Sequence, residues 1–412
     1  MIEFEKHKLK NDLRLIIHKD TSTPMACLNI LYDVGARDEN ENKTGFAHLF
    51  EHLMFGGSIN IPSYDEPLQL VGGENNAFTT NDITNYYCTV PAENLETAFW
   101  LESDRMLSLA FTDKSLEVQR NVVIEEFKQR YLNQPYGDVW LLLRPLAYKV
   151  HPYKWATIGK EISHIENAVM DDVKGFFKEH YCPANAIMVV AGNVDGKQVI
   201  ELAQKWFEPI AAGKKTKRNL PPEPQQLEER TLTVKRDVPQ DAIYKTYHMC
   251  ARNEPDYYTI DLISDVLSRG NSSRMYKSLV KEKKLFSEVG AYVMGDMDKG
   301  LFVISGKLSD GVSVEAAETG IEEELHRIRN EKVPDGELEK CKNKVESTLI
   351  FSEMDVLNKA TNLAVAELLG DADEVNKEAE KYQRVTGTEI LRVANEVLRK
   401  ENCSTLYYLK NK

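Results

Sequence analysis

Close cysteine spacing is missing from this chain. Its six cysteines, Cys27, Cys88, Cys182, Cys250, Cys341 and Cys403, are scattered through 412 residues without a C-x-x-C pair. Neither a disulfide framework nor a cysteine-based metal site is indicated, and the thiols read as reduced, in a reducing compartment. Long apolar runs are missing as well. No window approaches the roughly 20 apolar residues that a membrane helix needs, so no membrane partner is expected. The opening Met1-Ile2-Glu3-Phe4-Glu5-Lys6 is charged and lacks the apolar core of a secretory signal. A cytoplasmic location is expected, or a periplasmic one if a signal has been removed. Positive charge is short too: 52 Lys and Arg stand against 65 Asp and Glu, for a net −13. Neutralising phosphates needs clustered cations, which argues against nucleic acid as the main partner.

What is present is an ordinary globular composition, 42% hydrophobic and 28% charged, in a chain long enough for two domains. Leu13–His18 and Ala26–Val34 read as a strand pair, followed by helical spacing from about Thr44 to Phe55. A strand at 85–90 leads through Pro91 into a helix over 94–109. The clearest break is near 211–228, where the basic run around Lys214, Lys215 and Arg218 meets the prolines Pro221, Pro222 and Pro224. Proline stiffens the chain and removes donors, so a semi-extended linker is expected there. The segments TNYYCTVPAENLETAFWLESDRM and GLFVISGKLSDGVSVEAAETGIEEELHRI both give a strand, a turn and a long helix, which suggests a duplicated unit. The expected fold class is α+β, with two similar domains, each an antiparallel sheet covered by helices. Their expected spans are 1–212 and 229–412, with the linker at 213–228.

Chemistry is concentrated in His48-Leu49-Phe50-Glu51-His52. Residues four apart in a helix stand on one face, so the two imidazoles can grip one metal ion. Glu51 projects towards that face, where a carboxylate can take a proton from an activated water. The bland alternative is two histidines packing at a helix end. A catalytic zinc site usually has three protein ligands. The helix expected from Asp113 to about Asn133 offers Glu117, Glu125 and Glu126. At 100° per residue, Leu116, Val123, Phe127 and Tyr131 define its buried face. Glu126 falls at the rim of that face, and Glu125 points almost opposite, beside Lys128. A carboxylate at a buried rim needs a cation: zinc is one, and an ion pair with Arg130 or Arg105 is the alternative.

The H-x-x-E-H motif, with a glutamate 74 positions after its second histidine, resembles the inverzincin zinc peptidases, the family of pitrilysin, insulysin and mitochondrial processing peptidase. The resemblance covers most of the chain: LRLIIHKD and VGARDE upstream, GGENNAFTTNDITNYY, HPYKWATIGKEISHI and FFKEHYCPANAIMVVAGNVD downstream. It implies zinc on His48, His52 and Glu126, and Glu51 as general base. It also implies substrate binding at Asn76, Ala77 and Phe78, on the edge strand Asn76-Ala77-Phe78-Thr79, where a peptide adds as an extra strand. By family analogy the chain is one half of a clam-shell chamber.

Two departures stand out. Gln119 occupies the place, seven residues before the third ligand, where the family usually carries a second Glu. It can hydrogen-bond behind the metal but supplies no charge. In the second half, active homodimeric relatives place an Arg and a Tyr after a segment like Asn271-Ser272-Ser273-Arg274. Here Lys281 falls near the Arg place and Phe286 or Ser287 near the Tyr place, while Tyr292 aligns poorly. The resemblance therefore implies a zinc endopeptidase for unfolded peptides whose Arg/Tyr pair comes from a homologous subunit. The alternatives are a self-sufficient homodimer, or a non-catalytic scaffold of the kind found in respiratory complexes.

Overall fold

The apolar and alternating runs form two sheets. The first contains β1 (Glu5–Lys8), β2 (Arg14–Lys19), β3 (Met25–Tyr32), β4 (Glu74–Thr79), β5 (Thr84–Pro91) and β6 (Ala186–Gly192), in the order β1-β2-β6-β3-β5-β4. The second contains β7 (Arg230–Arg236), β8 (Ala242–His248), β9 (Phe286–Met294), β10 (Leu301–Leu308) and β11 (Cys403–Lys410), in the order β7-β11-β8-β10-β9. Without β1, the two orders are the same permutation. Both sheets are antiparallel except for one parallel pair each, β2 with β6 and β7 with β11. That shared topology is the duplication that the repeated strand–turn–helix pattern suggested.

One expectation is corrected. β2 and β3 are not partners, because β6 lies between them, parallel to β2 and antiparallel to β3. The run Ala186-Ile187-Met188-Val189-Val190-Ala191 is buried along its whole length. A strand with no polar face belongs in the middle of a covered sheet, and no local period reveals which neighbours it will choose.

The computed structural model describes residues 1–411, and these divide into two units, each with one sheet. The first takes Met1–Lys128, Trp155–Leu220 and Ile350–Lys377; the second takes Gln129–Lys154, Pro221–Leu349 and Glu378 onward. A single cut at the linker does not describe this division, because two short segments are exchanged between the halves. Each supplies a cover for the sheet it joins. In the first unit the helix Val356–Leu369 packs on β2, β3 and β6, burying Ala360, Leu363 and Ala364. In the second, Val139 and Leu143 of the helix Val139–Ala147 pack with Ala242, Leu406 and Tyr408.

Residues 211–227 carry no helix or strand, as the proline cluster suggests. They are nevertheless tied down. In the first unit Arg218 pairs with Asp38 at 2.6 Å and Asp33 at 2.8 Å. In the second, Glu223 accepts the N–H groups of Lys149, Val150 and His151, each at 2.9 Å.

Candidate metal centre

The H-x-x-E-H segment forms the helix Phe46–Leu53. Phe46, Ala47, Leu49, Phe50 and Leu53 are buried, so the face bearing His48, Glu51 and His52 is left for chemistry. Phe50 fixes the buried side by stacking on Tyr181 at 5.1 Å and against Phe176 at 5.1 Å. The helix begins abruptly because Gly45 is left-handed, at φ 86°, and an added Cβ would meet the Ile158 carbonyl at 2.7 Å.

The second helix runs over Asp113–Phe127, with the Thr112 hydroxyl accepting the Ser115 N–H at its start. Leu116, Val123, Ile124 and Phe127 are buried. The expected Tyr131 is only half-buried, because the chain widens into a π turn over Lys128–Leu132 and the phase shifts. Glu117 and Glu125 are exposed, and Glu125 pairs with Lys128 at 2.7 Å. Glu126 is half-buried and faces the histidines. Arg105, the other cation considered for it, is buried against Glu102 instead, at 2.5 Å.

The Glu126 Oε2 lies 3.5 Å from His48 Nε2 and 3.3 Å from His52 Nε2. One donor atom from each of the three residues falls within a 4.8 Å span. The imidazole rings are perpendicular, with centroids 4.8 Å apart. Zinc arms of about 2.0–2.1 Å in a tetrahedron give donor–donor edges of about 3.4 Å. Two imidazole nitrogens and a carboxylate oxygen are also the donor types zinc accepts, so these residues fit that ion.

Two further side chains organise the centre: Thr79, placed by the resemblance on the edge strand without a side-chain role, and Glu39, which was not singled out from the sequence. The Thr79 hydroxyl, at the end of β4, donates to Glu51 Oε2 at 2.6 Å. Glu39 sits at the other end of the helix, its oxygens accepting the N–H groups of Gly45 at 2.9 Å and Ala47 at 2.8 Å. Thr79 lay inside the strand segment and Glu39 inside VGARDE, but side-chain direction could not be read from either string.

β4 is a sheet edge, paired only with β5. Thr80 donates to the Ile83 carbonyl at 2.8 Å, which sets the parity of the hairpin. In an antiparallel pair every second residue exchanges bonds with the partner. Phe78 and Asn76 therefore bond to β5, and the main-chain groups of Asn75, Ala77 and Thr79 face the open edge. The Asn76 carboxamide folds over that edge and accepts the Ala77 N–H at 2.8 Å.

Comparison with known proteins places this geometry. The family model described as Insulinase (Peptidase family M16) matches residues 14–150, and the model described as Peptidase M16 inactive domain matches 167–345. A protein named zinc protease PqqE from Helicobacter pylori is 30% identical over 98% of this chain and 92% of its own length. The chain belongs to peptidase family M16. A crystal structure of a protease from Helicobacter pylori superposes with a TM-score of 0.93 at 28% identity, covering 99% of this chain and all of that one. The mitochondrial-processing peptidase subunit beta of Caenorhabditis elegans is 27% identical over 50% of this chain and 44% of its own length.

In M16 terms the first family match carries the H-x-x-E-H helix, Glu126 and the Gln119 departure, and the second carries the departure around Lys281 and Ser287. Gln119 is half-buried on the Glu126 helix, its amide nitrogen 3.9 Å from where a Cβ on Gly56 would stand. It therefore faces the turn that follows the H-x-x-E-H helix. In the second unit Lys281 lies over the Tyr276 ring at 5.3 Å, and Phe286 is buried in the core. The Ser287 hydroxyl donates to Gln240 Oε1 at 3.2 Å, and Tyr292 sits half-exposed on β9. The connection between β8 and β9, equivalent to the one that carries H-x-x-E-H in the first sheet, contains the helix Tyr257–Ser268 with no histidine.

Proposed function

We propose that this chain is the zinc-bearing half of an endopeptidase for unfolded peptides, with its chamber completed by a homologous subunit. The observation that carries the reading is the convergence of His48 Nε2, His52 Nε2 and a Glu126 oxygen beside Glu51. Two relatives are named zinc proteases or processing-peptidase subunits, which supports the same class.

His48, His52 and Glu126 would hold one zinc ion, and Glu51 would be the general base. When bound, zinc supplies Lewis-acid chemistry, lowering the pKa of a water and polarising a carbonyl. A peptide adds along the open edge of β4, with its carbonyl taking over the Ala77 N–H that Asn76 now occupies. Asn76 then turns to the peptide backbone, and Phe78 lies beneath it. That placement brings the scissile carbonyl to Glu51. The Glu51 carboxylate removes a proton from the attacking water as the carbon–oxygen bond forms, then delivers it to the leaving nitrogen as the carbon–nitrogen bond breaks. Gln119 would stand behind the ligands, where its amide can hydrogen-bond but supplies no charge.

The absence of an Arg/Tyr pair around Lys281, Phe286 and Ser287 is the reason for assigning those groups to another subunit. They would supply the donors for the developing oxyanion. Removing zinc with a chelator is expected to abolish peptide hydrolysis, and adding zinc back to restore it. Glu51→Gln is expected to lower kcat by about 10²–10⁴-fold while the metal content stays at the wild-type level. Full activity in that variant would refute the base assignment. Co-purification of a homologous chain, with activity appearing only on mixing, is the result expected for the two-subunit chamber.

A further inference from the structure

We infer that Thr79 is a positioning residue for the general base, coupling the substrate strand to Glu51. This rests on the reading of Glu51 proposed above.

Thr79 is held from two sides. Its main chain belongs to the last pair of the β4–β5 hairpin, opposite Thr84. The turn beyond it is closed by the Thr80 hydroxyl, which accepts the N–H groups of Asp82 and Ile83, both at 3.1 Å. The turn is also docked onto the loop after β3. The Ala36 N–H donates to the Thr80 carbonyl at 3.1 Å, the Arg37 N–H donates to the Asn81 carbonyl at 2.9 Å, and Arg37 pairs with Asp82 at 2.9 Å. A β-branched side chain on a fixed backbone has few rotamers to choose from. The hydroxyl that reaches Glu51 is therefore preset.

The same loop fixes the helix. Glu39, three residues beyond Ala36, accepts the helix N-terminal N–H groups of Gly45 and Ala47. Helix and hairpin thus share one frame, and the 2.6 Å bond from Thr79 to Glu51 closes it next to the reacting atoms. Hairpin parity adds the substrate side. The main-chain groups of Thr79 face the open edge, while its side chain turns to Glu51. One residue thereby sets the distance between an added peptide and the carboxylate that must serve it. Removing the hydroxyl leaves the peptide's bonding edge intact and takes from the carboxylate the bond that Thr79 supplies. The cost should appear in turnover and leave binding unchanged.

The test compares Thr79→Val and Thr79→Ser in the native protein, together with any co-purifying subunit, on a fluorogenic unstructured peptide. Thr79→Val is expected to lower kcat by about 10- to 100-fold, the value of one hydrogen bond to a charged group, with KM within about twofold. Thr79→Ser restores the hydroxyl and should recover kcat to within about threefold of wild type. Zinc content by metal analysis should match wild type in both. In a Glu51→Gln background, Thr79→Val should leave the peptide Kd unchanged. Wild-type kcat in Thr79→Val overturns the proposal, and so does a loss that lies entirely in KM or in peptide Kd. Failure of Thr79→Ser to recover kcat also counts against it. Glu51→Gln alone separates this from the underlying reading. If that variant is inactive and Thr79→Val is unaffected, only the role of Thr79 falls. If Glu51→Gln retains full activity, the base assignment falls first and the positioning role falls with it.

Discussion

Glu39 is a buried acid whose surroundings pull in opposite directions. An eight-residue helix with a glycine N-cap has no side chain of its own to satisfy its first N–H groups, and Glu39 accepts two of them. Those donors favour the ionised carboxylate, while burial opposes it more strongly and pushes the carboxyl up to about 8 from its ordinary 4.5. Between those two values the folded chain holds a proton that the unfolded chain has released. The contribution of Glu39 to stability therefore falls as pH rises through that window, and the penalty is complete above about 8. Melting wild type and Glu39→Gln side by side should show their difference in Tm moving against the wild type between about pH 5 and pH 8. A flat difference would mean that the carboxyl is not elevated. At this scale the sequence carried the histidines and Glu51 openly, through i, i+4 spacing. Helix phase separated Glu126 from Glu125, and the two do lie on opposite sides. Thr79 reaches Glu51 across 28 residues, and Glu39 turns back across a loop to N–H groups six and eight residues ahead, so no helix or strand period marks either role.

β4 shows what an element contributes beyond its side chains. It is short, lies at a sheet edge and alternates which residues it offers to β5. Proline at position 77 would remove an N–H that the sheet does not use. Ala77→Pro is therefore expected to leave Tm within a few degrees and raise KM by about tenfold, because an added peptide loses one main-chain bond. A variant that melts much lower would mean that Ala77 bonds to β5 after all. Legibility was uneven at this scale. The strand at Thr84–Pro91, its following helix Leu95–Leu107 and the H-x-x-E-H helix were each visible from their periods. The insertion of β6 between β2 and β3 was not, since pairing across more than 150 residues leaves no trace in either strand. The π turn after Phe127 also escaped, because it changes pitch without changing composition.

At the scale of the whole molecule, a matching topology hides an exchange. The two sheets share one strand permutation, so the halves look separable at the linker. They are not, because the first sheet relies on Ala360, Leu363 and Ala364 of the helix Val356–Leu369. Losing that cover exposes apolar atoms on β3 and β6, at about 25 cal/mol for each Å². A fragment ending at residue 212 is expected to show no cooperative melting transition and to bind a hydrophobic dye, where the full chain does neither. A fragment that melts sharply would show the first unit to be independent of residues 350–377. The exchange also orders events during synthesis. The ribosome delivers β1 to β6 more than 150 residues before the segment that roofs them, since β6 ends at Gly192 and the covering helix begins at Val356. The nascent first sheet must wait, partly bare, while the second sheet is being made. Chaperone occupancy of this chain should therefore persist until residues 350–377 have been translated.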